Sequence, residues 1–428
     1  MRRSRALLAA VAALSVARAA SASPQDVFGY GPRATALGAT GAASAEGAEA
    51  AWANPALLSL ARSRELTLGF QATRLALRAD GPGMPGPMHA EPSEGTLVAA
   101  QLPLPLKRWL RDRIALGLAF YAPTDVLVRG RVLYPETPQF ATLADRVQTF
   151  SLQAGLGVDL GRGLRVGGAI SALAGIAGTV HVATDTSGAV GTKVDDQLIA
   201  TFGRIVGASY DLGDAYRVGV TYRSKLEARF AVLITVRDLG FDVPEFNIAG
   251  LAQYDPWQVQ GEIARVKGKT RVAVGATFKR WSSYPGAPEP TVVCPPEKPD
   301  CLALRVTSPG FHDTVVPRVG VEREVLADPR FKLLGRAGYF YEPSPAPEQK
   351  GVSNQLDNDR HALTLGWAVA TLAPWPEGRF EAYFQLHKLV PRAHEKDMSE
   401  VAPGAVGAPR VETSGHVLFG GVAVTARF

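Results

Sequence analysis

From Phe150 to Leu160 the chain alternates without a slip. Phe150, Leu152, Ala154, Leu156, Val158 and Leu160 fall on one face; Ser151, Gln153, Gly155, Gly157 and Asp159 fall on the other. A period of two marks a strand lying between two different surroundings. The pattern returns in Tyr216 to Arg223, in Arg271 to Phe278 and in Ile114 to Phe120. Read along the whole chain, it predicts about fourteen strands, at 64–79, 94–105, 112–122, 147–160, 163–183, 194–212, 215–236, 256–266, 270–283, 314–326, 330–343, 360–373, 378–393 and 412–428. Many are longer than the roughly 5–6 residues of an ordinary soluble strand and suit a tilted membrane strand of about 9–11 residues with extensions.

The gaps between these strands set the architecture. Short connections (106–111, 161–162, 212–214, 267–269, 327–329, 374–377) alternate strictly with long ones (80–93, 123–146, 184–193, 237–255, 284–313, 344–359, 394–411). A soluble sandwich has no reason to lengthen every second connection, whereas a transmembrane barrel has tight periplasmic turns and longer external loops. The expected fold is all-β, an antiparallel transmembrane barrel of about 14 strands. A bilayer offers no hydrogen-bond partners, so a chain of strands can span it only as a closed sheet. Arg217, Arg223, Arg271, Gln153, Asp159 and Arg427 share the polar parity and fit a polar lumen. The closing run Val422 to Phe428 puts its last aromatic on the apolar face, as a final barrel strand would.

The N-terminus breaks the pattern. Arg2, Arg3 and Arg5 precede an apolar run from Ala6 to Leu14, and small residues follow up to Ala22. That layout predicts an export signal over residues 1–22, cleaved after Ala22 or Ala19. Residues 23–63 contain AEAAWANPALLS (Ala48 to Ser59), a helix-forming stretch stopped at Asn54-Pro55. The barrel proper is then 64–428.

Composition adds little and excludes more. Hydrophobic residues are 46% of the chain and charged residues 20%, with a formal net charge of +6. No Lys/Arg cluster carries interleaved aromatics, so no nucleic-acid partner is expected. Cys294 and Cys301, in CPPEKPDC, are candidates for a local disulfide in an exported loop; no metal set surrounds them. No phosphate-binding loop, G-x-S-x-G or H-E-x-x-H is present, the seven histidines are scattered, and neither a cofactor nor an enzymatic role is expected. Asp357-Asn358-Asp359 has the look of a calcium-loop fragment without the remaining ligands, and reads better as a turn before a strand.

Four stretches carry a resemblance. They are Gly38-Ala-Thr-Gly41 with Ala53-Asn54-Pro55-Ala56-Leu57; Ala208 to Asp211 with Tyr216 to Ser224; Arg336 to Tyr339 with Pro343 and Pro345; and Leu356 to His361. In this order they resemble the FadL-type outer-membrane transporters of long-chain fatty acids and other hydrophobic compounds. The resemblance implies a fourteen-stranded barrel with an N-terminal hatch in the lumen, to which Trp52, Asn54 and Pro55 would belong. It also implies passive uptake of apolar cargo with lateral release into the membrane. A wide barrel leaves an aqueous bore unless something fills it.

Apolar residues in the long loops, among them Phe140, Phe241, Phe246 and Tyr254, are candidates for contacting cargo or for packing over the mouth. Arg223, Arg336 and Arg360 are candidates for meeting a cargo carboxylate; a lumen ion-pair network is the competing role. Expected partners are hydrophobic small molecules, outer-membrane lipid and the barrel-assembly machinery, with the protein a monomer. A general diffusion porin and a structural or adhesive barrel are the alternative functions.

Overall fold

The computed structural model describes residues 24–90, 92–124, 135–143, 150–184, 190–237, 246–286, 289–292 and 308–428, with the backbone alone at 109, 174–184, 190–199, 228–237, 246–253 and 289–292. Fourteen antiparallel strands close into a barrel. In order they are Glu65–Asp80, Ser93–Pro103, Ile114–Pro123, Ser151–Gly161, Leu164–Thr184, Val190–Leu212, Tyr216–Arg223, Gln258–Arg265, Thr270–Lys279, Thr314–Ala327, Phe331–Glu342, Arg360–Thr371, Gly378–Glu395 and Arg410–Arg427. The first pairs with the last along its full length, from Glu65 opposite Arg427 to Asp80 opposite Glu412.

The alternation read from the sequence becomes inside and outside. Leu66, Leu68 and Phe70 face outward and exposed on the first strand, as do Leu152, Leu156 and Leu160 on the fourth, where Ser151 and Gln153 are fully buried. An apolar outer band with a polar interior is what lipid requires of a barrel. At the short-turn end the fourth and fifth strands reverse through Gly161, Arg162 and Gly163, all at positive φ (87°, 55° and 82°). Such left-handed residues match a tight hairpin to the twist of its strands.

Besides short strands in the expected loops (Gly86–Pro87, Gln139–Phe140, Glu289–Val292 and Gln355–Leu356), the structure departs from the expected strand list in one region. The predicted strand 215–236 is two strands. Wall pairing stops at Ser224, whose Oγ accepts from the Arg204 N–H (2.9 Å) in place of a backbone carbonyl. Leu226 then turns in beside Gly203, where a Cβ would stand only 2.8 Å from Leu226 Cδ1. The chain restarts as Leu226–Arg237, which leaves the wall and pairs with Phe246–Asp255 and, in parallel, with Ala177–Ala183. The expected loop 237–255 is therefore half strand, and of the expected loop 184–193 residues 184 and 190–193 are strand. Alternation identifies a strand but not the sheet it joins. The fifth and sixth strands, 21 and 23 residues long, reach about 70 Å at roughly 3.3 Å per residue, far beyond an apolar band about 25 Å tall.

Inside the barrel runs the segment from Pro24 to Ser63. It folds as three short helices (Pro24–Phe28, Pro32–Ala36, Ala50–Ala53) and two 3₁₀ turns (Gly47–Glu49, Pro55–Leu60). Its first turn lies towards the long loops and its end at the short turns, where Arg62 donates to Asp112 O (3.3 Å).

Candidate functional site

The lumenal segment, the hatch, is seated on glycine. Gly157, Gly167 and Gly207 stand opposite one another across the fourth, fifth and sixth strands. Their missing side chains make a channel for Asn54 and Pro55. A Cβ at 157 would lie 2.5 Å from Pro55 O, at 167 2.3 Å from Pro55 C, and at 207 2.0 Å from Asn54 Oδ1. On the seventh strand a Cβ at Gly219 would lie 1.8 Å from Ala42 O. Backbone can approach backbone this closely only where the wall residue is glycine.

Asn54 holds the turn. It is extended (φ −162°, ψ 103°), its Oδ1 accepts from Ala56 N–H (3.1 Å), and Pro55 takes the first position of the 3₁₀ turn. The missing proline N–H costs nothing there. Asn54 Nδ2 donates to Ala42 O (2.5 Å) within the hatch and to Ala208 O (3.0 Å) on the wall. The helical run of AEAAWANPALLS is thus one turn, Ala50–Ala53, and the motif after it is a clasp.

A carboxylate on the eighth strand grips the other hatch loop. Glu262 accepts from the N–H groups of Gly41, Ala42 and Ala43 (2.7, 3.1 and 3.1 Å) and from Ser44 Oγ (2.6 Å). Successive amides turned onto one anion form a nest, and hydrogen bonds to a charged acceptor are the strong ones.

Ion pairs tie hatch to wall in two groups. Arg33 of the hatch makes a two-point bond to Glu322 (3.0 and 3.1 Å), which Arg336 shares (2.8 Å) while also reaching Glu381 (2.6 Å). Nearer the loop end, Asp26 accepts from Lys279 (2.9 Å), Lys279 reaches Glu342 (2.7 Å), and Arg360 closes the chain on Glu342 (2.6 Å). Burying charge is tolerable only with such partners. Two buried arginines make no ion pair among the described residues. Arg223 lies over the Trp52 ring (4.9 Å) and donates to Trp52 O, Gln258 Oε1 and Gln260 Oε1. Arg318 lies over Phe340 (4.7 Å) and donates to Thr277 Oγ1 and Gly38 O.

At the loop end of the hatch an apolar cluster packs beside the ion-pair chain from Asp26 to Arg360. Phe28 stacks on Phe419 (centroids 4.2 Å apart, 4° between planes) and packs in one buried cluster with Tyr383, Val417, Phe140 and Leu143. His387 meets Phe28 edge-on at 5.3 Å. At the mouth a second cluster joins Tyr254, Trp281 and Phe311, with Tyr284 against it.

The segment carrying Phe140 is held by Leu356 to Asp359. Gln139 and Phe140 pair in parallel with Gln355 and Leu356, and Thr142 donates to Asp357 Oδ1 (2.5 Å). Burial raises the Asp357 carboxyl above its usual range. Asn358 Nδ2 donates to Val390 O and Thr413 Oγ1, and Asp359 accepts from Ser344 N–H (2.8 Å). This acidic triplet is a loop buckle, and no group of potential metal ligands gathers among the described residues.

The expected site residues thus separate. Trp52, Asn54 and Pro55 are buried in the hatch; Phe140 joins Phe28, and Tyr254 joins the mouth cluster. Phe246 begins the strand Phe246–Asp255, whose side chains are described only from Tyr254. Phe241, Cys294, Cys301 and the expected signal segment lie outside the described residues. Arg336 and Arg360 are engaged by carboxylates; Arg223 is not. Sequence reading missed Glu262, Phe28 and the glycine row. The available signal was parity: an acid or a glycine on the inward face of a wall strand needs a lumenal partner.

Residues 8–373 match the family model described as outer membrane protein transport protein (OMPP1/FadL/TodX). Among solved structures, a Pseudomonas aeruginosa FadL homologue is similar at 14% identity, covering 96% of this chain and 100% of that one, with a TM-score of 0.64. The P. putida toluene transporter TodX is similar at 15% identity over 94% and 99%, with a TM-score of 0.55. The Ralstonia pickettii toluene transporter TbuX gives 17%, 94%, 99% and 0.53. At these identities the likeness establishes the fold. No curated protein matches the chain by sequence.

Proposed function

We propose how this chain, which belongs to the OMPP1/FadL/TodX family of outer-membrane transporters of hydrophobic compounds, handles its cargo. An apolar molecule, a long-chain fatty acid or a hydrocarbon of the kind TodX and TbuX are named for, enters past Tyr254 and the mouth aromatics. It passes Phe140 and takes the place of side-chain packing around Phe28 while residues 23–63 keep the bore closed. It leaves sideways through the wall into the bilayer.

The observation that carries this reading is the buried apolar cluster around Phe28, at the loop end of a hatch whose far end is ionic and open to water. Apolar surface returned to water costs about 25 cal/mol per Å². A route past Arg33, Glu322 and Arg379 would incur that cost, and a route into lipid avoids it. Passage down such a gradient needs no nucleotide. Where the cargo carries a carboxylate, Arg223 is the better-placed of the three candidate arginines, because Arg336 and Arg360 already hold acids. Phe241 and Phe246 would extend the apolar path, and a Cys294–Cys301 bridge would stiffen its loop. Residues 1–22 serve as the export signal, and assembly machinery inserts 64–428 as a monomer.

Mass spectrometry of ligand extracted from detergent-purified protein tests the cargo: a co-purifying apolar molecule supports the reading, and detergent alone under mild extraction counts against it. In reconstituted vesicles a solvatochromic hydrocarbon probe should report lipid before it reports interior water. The opposite order rejects lateral release.

A further inference from the structure

At the short-turn end the hatch does not fill the bore and leaves a cavity of about 380 Å³, adjoining a second of about 250 Å³. Arginines dominate its wall. Glu46, a hatch residue, projects into it and sits among three guanidinium groups: it bonds Arg271 of the ninth strand and lies 3.9 Å from Arg379 of the thirteenth and 4.0 Å from Arg33 of the hatch. Unlike Glu322, which is almost wholly buried between Arg33 and Arg336, the Glu46 side chain is 42% accessible. Arg62 and Arg265, on the rim, make no ion pair among the described residues.

This is an oxyanion cradle whose present occupant belongs to the hatch itself. We propose that the cavity is a binding site for a free compact oxyanion, phosphate or carboxylate, which replaces Glu46 on Arg271 and Arg379 and so releases the inner end of the hatch. A half-exposed ion pair is worth little net energy, so a competing anion need not bind tightly to displace it, and the unpaired rim arginines raise its local concentration. Guanidinium groups suit planar or tetrahedral oxyanions through two-point bonding. The inference rests on the sealing role given to the hatch above.

The test uses the full-length protein with inorganic phosphate as probe. Calorimetry on detergent-solubilised protein should detect phosphate binding, and the double variant Arg271→Ala/Arg379→Ala should lose it. In planar bilayers at fixed ionic strength, which holds screening constant, phosphate added on the short-turn side should raise the frequency of open events severalfold. Glu46→Gln should show the raised frequency without phosphate and respond to it no further. A second arm adds decanoate on the loop side; response to decanoate alone would place the anion's source in the cargo rather than the periplasm. Absence of phosphate and decanoate binding at tens of millimolar would sink the inference, as would a Glu46→Gln channel as closed as the parent while the hatch-deleted barrel conducts. Phosphate binding that the arginine variant abolishes, with no conductance even from the hatch-deleted barrel, leaves the anion site standing and removes the seal instead.

Discussion

The two ends of the hatch are held by different forces. At the loop end Phe28 is fully buried against Phe419, with Tyr383 and Val417 closing the cluster, and the ion-pair chain from Asp26 through Lys279 and Glu342 to Arg360 beside it is shut away from water. At the turn end Glu46 lies half open among arginines. Packing of the first kind ignores salt and yields to a competing apolar molecule; pairing of the second kind ignores hydrocarbon and yields to ions. Each end is therefore sensitive to what arrives on its own side. Between them lie the glycine row and the Glu262 nest, which answer to neither and fix where the segment sits.

That contrast can be broken by degrees. Removing Gln25 to Asn54 discards both ends, and small-solute permeability should rise by orders of magnitude while the barrel still forms. Steady conductance in planar bilayers measures it, and an unchanged current would show that the segment seals nothing. Gly219→Leu keeps both ends but lifts the middle off the wall, since even a Cβ would meet Ala42 O at 1.8 Å. A smaller, permanent leak is expected, read by antibiotic sensitivity or by current noise. Glu262→Ala strips the nest of its anion and orphans three buried N–H groups. At about 1–3 kcal/mol for each unsatisfied buried group, protease access to the hatch should rise strongly. Phe28→Ala should cost about 3–5 kcal/mol of packing and weaken retention of an apolar fluorophore. Its leak should vary less with ionic strength than that of Glu46→Gln, because the ion pairs beside Phe28 are buried and weakly screened; an equal salt dependence would erase the contrast between the ends. The smallest effect belongs to Arg410→Ala, which removes exposed pairs to Glu395 and Glu412. Water and salt screen such exposed pairs, and neither conductance nor melting temperature should move measurably.

Most of the barrel was legible because lipid and lumen impose opposite demands on neighbouring residues, and the alternation records them. Leu152, Leu156 and Leu160 against Ser151 and Gln153 are enough to orient a whole strand. The same rule failed at Ser224, where a hydroxyl replaced one ladder bond and the chain left the wall while its period stayed at two. The hatch was legible as an interruption, through Asn54-Pro55, but its contacts were not. Glu262 and Ala42 are 220 residues apart in sequence, and no local pattern states which amides a lumenal acid will find. The arginine candidates divided for the same reason: Arg223, Arg336 and Arg360 share a parity, and only their neighbours decide that two hold carboxylates and one lies on Trp52.

The seam of the cylinder has a consequence for assembly. The strand that follows the hatch directly in sequence is zipped to the strand furthest from it, Glu65 to Arg427 and Asp80 to Glu412. The lumenal segment is therefore synthesised before the strand that completes the cylinder. A wall that closes at this seam need never admit the segment through a finished rim, but it must gather around a stretch with little fold of its own. Variants that loosen the clasp at Asn54 should accordingly show up as slow or failed insertion before they show up as leaks.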